Sequence, residues 1–323
     1  MTDAEYLVRR GAVPESGEYE AYTLVGVEAE LEVSFVPDAG MVGCSLRSTG
    51  RQLLGGRQGI EAYVEQGKTF GIPLLAPWAN RLGSDVYTAA GVTVDVAGTP
   101  GMHRDGNGYP IHGLLAGSGG WRVVEFEATS DDARLTAELD FDVHRPEFQG
   151  FPYPHLLRVG VRLLGHEVHV RTEITPTAEL AVPIAFGWHP YFVIPDLPRG
   201  QWQLTLPFTR RAELNDHNLP TGEVLDWSWD SGPLGQRTVD DLFVDVPEGA
   251  HGTLAGGGCS IQLEYLEGYP YGVAFAPASD DVVAIEPMTA PTDPFAGVFP
   301  RRVVEPGDTY AATFVIRVTE DSP

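Results

Sequence analysis

The sequence predicts an all-β protein, a large antiparallel β-sandwich formed by one domain over residues 1–323. Two observations carry this prediction. Hydrophobic and polar residues alternate in many short runs, and 38 Gly and 26 Pro are scattered between those runs. Alternation with a period of two places one face of a strand in a core and the other in water, while Gly and Pro favour tight turns. Many strands with frequent turns favour an antiparallel sandwich or barrel over a parallel sheet with crossover helices.

The strands are predicted where the alternation is clearest. Gly165-His166 separates two such runs and predicts a hairpin turn. We expect no helix of any length, because apolar residues are almost nowhere spaced at i, i+3, i+4 and i+7. No internal repeat, linker or change of composition divides the chain, which favours a single domain. The alternating runs are 27–35, 135–143, 157–163, 168–174 and 310–318.

The charge, the cysteines and the amino terminus argue against several classes of protein. The sequence has 45 acidic and 21 basic residues, a net charge of −24, so nucleic acid and membrane surfaces are not expected partners. Cys44 and Cys259 are too far apart in sequence to suggest a disulfide framework or a metal motif. The amino terminus has no basic or apolar leader pattern, and no stretch reaches the ~18 apolar residues of a membrane span. We therefore expect a cytoplasmic protein.

No cofactor is expected. The sequence has no GxxxxGK[ST] loop, no HExxH or CxxC pair and no GxSxG turn. His166 and His169 are three residues apart, so on a strand they point to opposite faces and make a poor metal pair. The expectation is a protein without metal or nucleotide.

Five segments interrupt the strand pattern with polar residues in apolar or Pro- and Gly-rich settings. Glu286 is the most informative, because it follows the apolar run 282–285, where a carboxylate is costly unless it is paired or functional. Taken singly, the others have structural explanations, such as a surface arginine, a turn-capping histidine or a core histidine with one hydrogen bond. The segments are 71–81, 111–113, 186–192, 240–243 and 283–289.

Taken together, the polar residues of these segments suit a sugar. Aromatic rings stack on the apolar C–H faces of a sugar, and Arg and carboxylate groups bind its vicinal hydroxyls. Imidazole and carboxylate groups also supply an acid and a base of different chemical type at neutral pH. The candidate residues are Asn80, Arg81, His112, His189, Asp240 and Glu286.

The order of these motifs resembles that of the aldose 1-epimerase (galactose mutarotase) family. The motifs span most of the chain, since 205 positions separate Arg81 from Glu286. Leu53-Leu54 and the turn 305–308 resemble the family's early and late segments. The motifs in order are Asn80-Arg81, His112-Gly113, His189-Pro190-Tyr191-Phe192, Asp240-x-x-Phe243 and Glu286-Pro287-Met288-Thr289.

The resemblance implies a galactose mutarotase-like supersandwich with a shallow sugar cleft. It implies interconversion of the α and β anomers of a free aldose, with Glu286 as the general base and His189 as the acid that protonates the ring oxygen. His112 would lie at the same end of the sugar. Arg81, with Asn80 beside it, and Asp240 would bind sugar hydroxyls. Asp241 is adjacent to Asp240, so either aspartate is a candidate, and the spacing to Phe243 favours Asp240.

Three other functions compete with mutarotation. A non-catalytic carbohydrate-binding protein needs no acid–base pair, so retention of Glu286 and His189 favours an enzyme. A glycosidase normally uses two carboxylates. A hexose-6-phosphate epimerase needs a basic pocket, for which Arg210-Arg211 and Arg301-Arg302 are the candidates. The preferred sugar and the oligomeric state stay open.

Overall fold

A computed structural model describes residues 5–13 and 16–321. Most of the amino-terminal stretch that lacks a leader pattern, residues 1–4, lies outside the described residues. Within them the chain forms 28 strands and one α-helix, α1 (Gly59–Gln66), besides three short 3-10 helices. The first strands are β1 (Tyr6–Val13), β2 (Ser16–Gly26), β3 (Leu31–Val36), β4 (Val42–Ser48), β5 (Arg51–Gln52), β6 (Leu74–Leu75), β7 (Val86–Ala89), β8 (Val92–Asp95), β9 (His103–Arg104), β10 (Pro110–Ile111), β11 (Arg122–Ala128), β12 (Ala133–Phe141), β13 (His155–Leu164) and β14 (Glu167–Pro176). The others are β15 (Val182–Ile184), β16 (Gly187–Trp188), β17 (Tyr191–Phe192), β18 (Gln203–Thr205), β19 (Arg210–Leu214), β20 (Pro220–Asp226), β21 (Gly232–Pro233), β22 (Val239–Val244), β23 (Ala250–Gly256), β24 (Cys259–Glu267), β25 (Tyr271–Ala276), β26 (Val283–Met288), β27 (Arg302–Val304) and β28 (Tyr310–Glu320).

Three large antiparallel sheets organise these strands. The first is five-stranded, in the order β1-β2-β3-β4-β5. The second is nine-stranded, in the order β11-β12-β13-β14-β28-β24-β23-β18-β21. The third is eight-stranded, in the order β20-β19-β22-β25-β26-β16-β6, with β17 also paired to β26. The predicted antiparallel β-sandwich is therefore confirmed.

The eight-stranded sheet packs one of its faces on the nine-stranded sheet. The Trp188 ring lies 5.9 Å from that of Phe314, and its Nε1 donates a hydrogen bond of 3.0 Å to the hydroxyl of Thr172. Tyr265 on β24 donates through its hydroxyl to the backbone carbonyl of Glu286 at 3.0 Å. These contacts anchor β16 and β26 from behind, which leaves the other face of the eight-stranded sheet to carry a site.

The strand predictions agree with the structure except at two ends. The hairpin at Gly165-His166 is confirmed, because β13 and β14 pair in continuous register. Residues 27–30 form a turn rather than the start of β3; Val27 is 41% exposed and Glu30 has φ of 47°. Val143 is 67% exposed beyond the end of β12. In both places the alternation continued by chance into a segment with no strand partner.

The expectation of no helix was wrong for α1. This helix spans Gly59–Gln66 and buries only Ile60 and Tyr63, which are spaced at i and i+3. Gly67 ends it in the left-handed conformation with φ of 65°, as glycine commonly does at a helix end. Two turns are too short for the repeated 3.6-residue pattern that reveals a helix in a sequence. No helix of the described residues is long and apolar enough to cross a membrane.

We propose that the described residues form one domain. A single hydrophobic cluster contains side chains from Tyr6 in β1 to Val318 in β28.

Candidate active site

Two motif segments lie side by side at one end of the eight-stranded sheet. β6 pairs with β16, so Leu74 and Leu75 lie opposite Trp188 and Gly187. Beyond this short ladder, the backbone amide of His189 donates to the carbonyl of Pro73 at 3.1 Å. Segment 71–81 therefore follows segment 185–191 closely, which brings residues more than one hundred positions apart into one site.

The neighbouring strand β26 contributes Glu286. Its neighbours Val283 and Ile285 belong to the main core between the sheets, whereas Met288 packs in a cluster on the opposite face. Because side chains alternate along a strand, Glu286 lies on the same face as Met288. Gly187 allows this approach, since a Cβ at that position would lie 2.2 Å from the sulfur of Met288. The sheet thus presents a carboxyl group beside the segment that carries His189.

Glu286 and His189 form a buried pair. Oε1 of Glu286 lies 3.1 Å from Nε2 of His189, and the two residues are 1% and 6% exposed. The hydroxyl of Tyr191 lies 3.0 Å from the same Nε2, and Thr69 Oγ1 lies 2.7 Å from that hydroxyl. The rings of Tyr191 and His189 stack at 4.1 Å with an angle of 18° between their planes. The tyrosine hydroxyl and the carboxyl group thus both lie within 3.1 Å of His189 Nε2.

His112 and Asn80 complete the wall beside this pair. Both have left-handed backbones, with φ of 65° and 52°, and the amide of His112 donates to the carbonyl of Asn80 at 2.7 Å. Such strained non-glycine conformations cluster at functional sites. Gly113 is required here, because a Cβ would lie 2.1 Å from the carbonyl oxygen of Ala76. The ring of His112 lies 5.8 Å from that of His189, so the two imidazoles are neighbours.

Arg81 is held by a carboxylate that the sequence analysis did not identify. Its Nε donates to Asp105 Oδ2 at 2.9 Å. Burial alone would raise the pKa of Asp105, but the backbone amide of Tyr109 and the Arg81 guanidinium donate to the carboxylate and hold its pKa below the usual range. Asp105 stands in an ordinary loop of the sequence, where an aspartate that caps a turn has no distinguishing pattern.

The structure distinguishes Asp240 from Asp241. Leu242 packs with Met288 on the outer face, so Asp240, two residues before it, shares the face of Glu286. Asp241 points the other way and forms an ion pair with Arg211 at 3.2 Å. Asp240 is exposed, yet the surrounding protein still raises its pKa by desolvation, an effect that Arg81 opposes.

Burial governs the protonation of the central residues. Desolvation raises the pKa of Glu286 well above that of a free carboxyl group, reinforced by Asp240 and opposed by Arg81. Desolvation lowers the pKa of His189 well below the usual value, reinforced by His112 and Arg57. The pKa of His112 falls to about 3, mainly by burial and then by Arg81. Both shifts in the Glu286–His189 pair favour its neutral form, which holds one proton on the carboxyl group.

The structure brings the six sequence-predicted residues to one region, but it also adds members. Thr69, Asp105 and Phe275 were not recognised from the sequence, and Tyr191 appeared there only as part of the His-Pro-Tyr-Phe motif. The Phe275 ring lies 5.8 Å from that of His189. The other three residues reach the site through contacts between distant segments, which leave no local pattern. Only Tyr191, inside the His-Pro-Tyr-Phe motif, could have been found from the sequence.

Other features suggested by the sequence or by cavity size make contacts outside the set of six predicted residues. Arg210 pairs with Asp245, and Arg211 pairs with Asp241. The Arg301 guanidinium lies 5.5 Å from the centre of the Phe295 ring. A cavity of about 430 Å³ lined by Gln52 and Cys44, among others, contains none of the six predicted residues.

Comparison of the whole fold with solved structures identifies the class of protein to which this architecture belongs. A galactose mutarotase-like protein from Clostridium acetobutylicum superimposes with a TM-score of 0.84 at 16% identity, over 98% of this chain and 99% of the other. A galactose 1-epimerase from Lactobacillus acidophilus gives 0.76 at 13% identity, over 99% and 100% of the two chains. An aldose epimerase homologue from C. elegans gives 0.71 at 16%, over 91% and 97%. At such identities these likenesses establish a galactose mutarotase-like fold.

A match to a protein-family sequence model establishes the family of this chain. The model of the aldose 1-epimerase family matches residues 39–317, so the chain belongs to that family. No curated protein matches the chain in a sequence search.

Proposed function

We propose that this protein is an aldose 1-epimerase that interconverts the α and β anomers of an aldose. The observation that carries the proposal is the buried pair of Glu286 and His189, whose Oε1 and Nε2 atoms lie 3.1 Å apart. Burying a carboxyl group beside an imidazole lowers the stability of the folded protein, so a purely structural role does not account for it. As an acid–base unit, the pair can move one proton in each direction.

In the proposed mechanism, Glu286 takes the proton of the anomeric hydroxyl while His189 gives a proton to the ring oxygen. The C1–O5 bond breaks, the C1–C2 bond rotates, and the reverse transfers close the ring on the other face. The pair starts and ends the reaction with the same one transferable proton, so no external acid or base is consumed. Transfer of that proton from the carboxyl group to His189 Nε2 generates the reactive carboxylate. Arg81 supports this form, because its charge lowers the pKa of Glu286.

Hydroxyl binding falls to the polar groups that surround the pair. Asn80 Nδ2, His112 Nδ1 and Glu286 Oε2 are buried and have no hydrogen-bond partner among the residues that the structure describes. Buried polar atoms are normally hydrogen-bonded, so these three atoms suit the hydroxyl groups of a ligand. Arg81 and Asp240 supply charged groups for further hydroxyls at the same face, and Phe275 supplies an apolar ring.

The test measures anomer exchange by NMR over a panel of aldoses, with sugar binding followed separately by calorimetry. We expect His189→Asn and Glu286→Gln each to lower kcat by about 10²-fold or more. The double variant should lose much less than the product of the single effects, because the two groups act as a unit. A protein that binds aldoses but exchanges anomers no faster than buffer would instead be a carbohydrate-binding protein.

A further inference from the structure

Arg57 lies against the tyrosine that stacks on the imidazole of His189. The Cζ atom of Arg57 is 4.5 Å from the centre of the Tyr191 ring, within the range of a cation–π interaction. The same tyrosine ring lies 4.1 Å from that of His189, with an angle of 18° between their planes. Tyr191 therefore connects the guanidinium of Arg57 to the imidazole of the acid–base pair.

Two hydrogen bonds fix the guanidinium in this place. Nε of Arg57 donates to Asp280 Oδ2 at 2.9 Å, and its Nη1 donates to the backbone carbonyl of Thr69 at 3.0 Å. Thr69 also contacts the tyrosine, because its Oγ1 lies 2.7 Å from the Tyr191 hydroxyl. Arg57 thus supports the Tyr191 ring directly and its hydroxyl through Thr69. The Arg57 side chain is only 25% exposed, so water and salt weaken its ion pair with Asp280 less than they weaken a fully exposed pair.

The backbone brings Arg57 to this position. The amide of Gly55 donates to the carbonyl of Tyr191 at 2.9 Å, and the amide of Tyr191 donates to the carbonyl of Gly71 at 2.8 Å. Arg57 follows Gly55 by two residues and has a left-handed backbone, with φ of 43°. This conformation costs free energy in a residue other than glycine and occurs preferentially at functional sites.

The position of the His189 ring matters for the proposed function. Proton transfer requires heavy atoms within about 2.6–3.2 Å of each other, and Nε2 of His189 lies 3.1 Å from Glu286 Oε1. We propose that Arg57 is a positioning residue, whose guanidinium holds Tyr191 against His189 and so fixes the imidazole for proton transfer. This inference rests on the proposed function for the reaction that the imidazole performs.

The charge of Arg57 acts on His189 as well. Desolvation lowers the pKa of His189, and His112 and then Arg57 lower it further. An imidazolium with a lowered pKa is a stronger acid, which favours transfer of its proton to the ring oxygen. Arg57 therefore supports the acid role of His189 both by position and by charge.

The first experiment compares steady-state anomer exchange in the parent protein, Arg57→Gln and Arg57→Lys. We expect Arg57→Gln to lower kcat by roughly tenfold, less than the ~10²-fold that a misplacement of about 1 Å can cost. KM should change by less than about twofold, because Arg57 positions His189 rather than the sugar. Arg57→Lys should lie between the two, since an ammonium group keeps the charge near the ring but not the flat contact of a guanidinium. A raised KM with unchanged kcat would overturn the inference, because Arg57 would then bind the sugar itself.

The matched control is Arg10→Gln. The Cζ atom of Arg10 lies 4.6 Å from the centre of the Tyr22 ring, and its guanidinium pairs with the carboxylate of Glu20, but it lies on β1 in the five-stranded sheet. Its substitution should leave kcat and KM unchanged. If Arg57→Gln has the same kinetics as this control, the positioning role is wrong and the proposed function still stands.

A spectroscopic measurement separates the two proposals if no aldose undergoes exchange. A stacked aromatic ring displaces the NMR signals of imidazole protons, and the signals of His189 are identified by their loss in His189→Asn. Displacement of these signals in Arg57→Gln, smaller in Arg57→Lys and absent in Arg10→Gln, supports the positioning role although the enzyme function fails. Signals of Arg57→Gln that match those of the parent protein contradict the positioning role itself.

Discussion

Replacing Glu286 by Gln isolates the role of its proton. The side chains have nearly the same shape, and Gln can still occupy the space 3.1 Å from His189 Nε2 and hydrogen-bond to it. It cannot accept a proton from the anomeric hydroxyl. Because a positioned general base contributes about 10²–10⁴-fold, we expect kcat to fall by at least ~10²-fold while sugar affinity is largely retained.

The structure also predicts how this substitution affects stability. Burial raises the pKa of Glu286, so the folded protein already holds the carboxyl group neutral, and a neutral amide changes little at mildly acidic pH. The unfolded chain releases this proton above about 4.5, so between that pH and the raised pKa the folded state binds more protons. The parent protein therefore loses stability as the pH rises through this window, and Glu286→Gln should not share that loss.

Two measurements check this reasoning. Anomer-exchange NMR gives the rate, and chemical denaturation of both proteins from pH 5 to pH 9 gives the free energy of unfolding. An unchanged kcat in a variant that binds sugar would refute the catalytic assignment. Stability curves that stay parallel over this pH range would show that Glu286 is ionised in the folded protein, contrary to the burial argument.

Four further predictions test other parts of the structure. Asp240→Asn should raise KM for the best sugar several-fold, whereas Asp241→Asn, which alters the opposite face of the same strand, should leave kinetics unchanged in the same assay. Arg81→Ala should raise KM and lower kcat together, because the guanidinium orients the sugar as well as binding it; steady-state kinetics with unchanged values would remove it from the site. Tyr191→Phe keeps the ring stack but removes the hydroxyl, so kcat should fall by less than tenfold, and a loss as large as that of Glu286→Gln would make the tyrosine a proton-transfer group. Burial lowers the pKa of His155 to about 4, so the free energy of unfolding falls as the pH drops below 6.5. Between pH 7 and pH 5, chemical denaturation should show that His155→Gln loses ~2 kcal/mol less of this free energy than the parent protein does.

Much of the fold could be predicted from the sequence because strand patterning is local. The alternation in 157–163 and 168–174 reflects which side chains face the core, and the Gly165-His166 turn between them joins strands that pair directly. The same logic failed for 27–30, where alternation occurs without a partner strand, and for α1, where two turns give too little repetition to recognise.

The site was predictable only in part, because a residue's type can be read locally but its neighbours cannot. The motif order gave Glu286, His189 and the hydroxyl-binding candidates through a family resemblance, and the family itself is now shown by the match over residues 39–317. The contact of Asp105 with Arg81 and that of Thr69 with Tyr191 left no mark on the sequence, since each joins loops whose approach depends on the whole fold.

The sequence by itself determined the alternating strands, the acidic charge and the motif inventory. Only the tertiary structure decided which of Asp240 and Asp241 shares a face with Glu286, because the sequence did not reveal the strand that carries them or the side of it that packs on the second sheet.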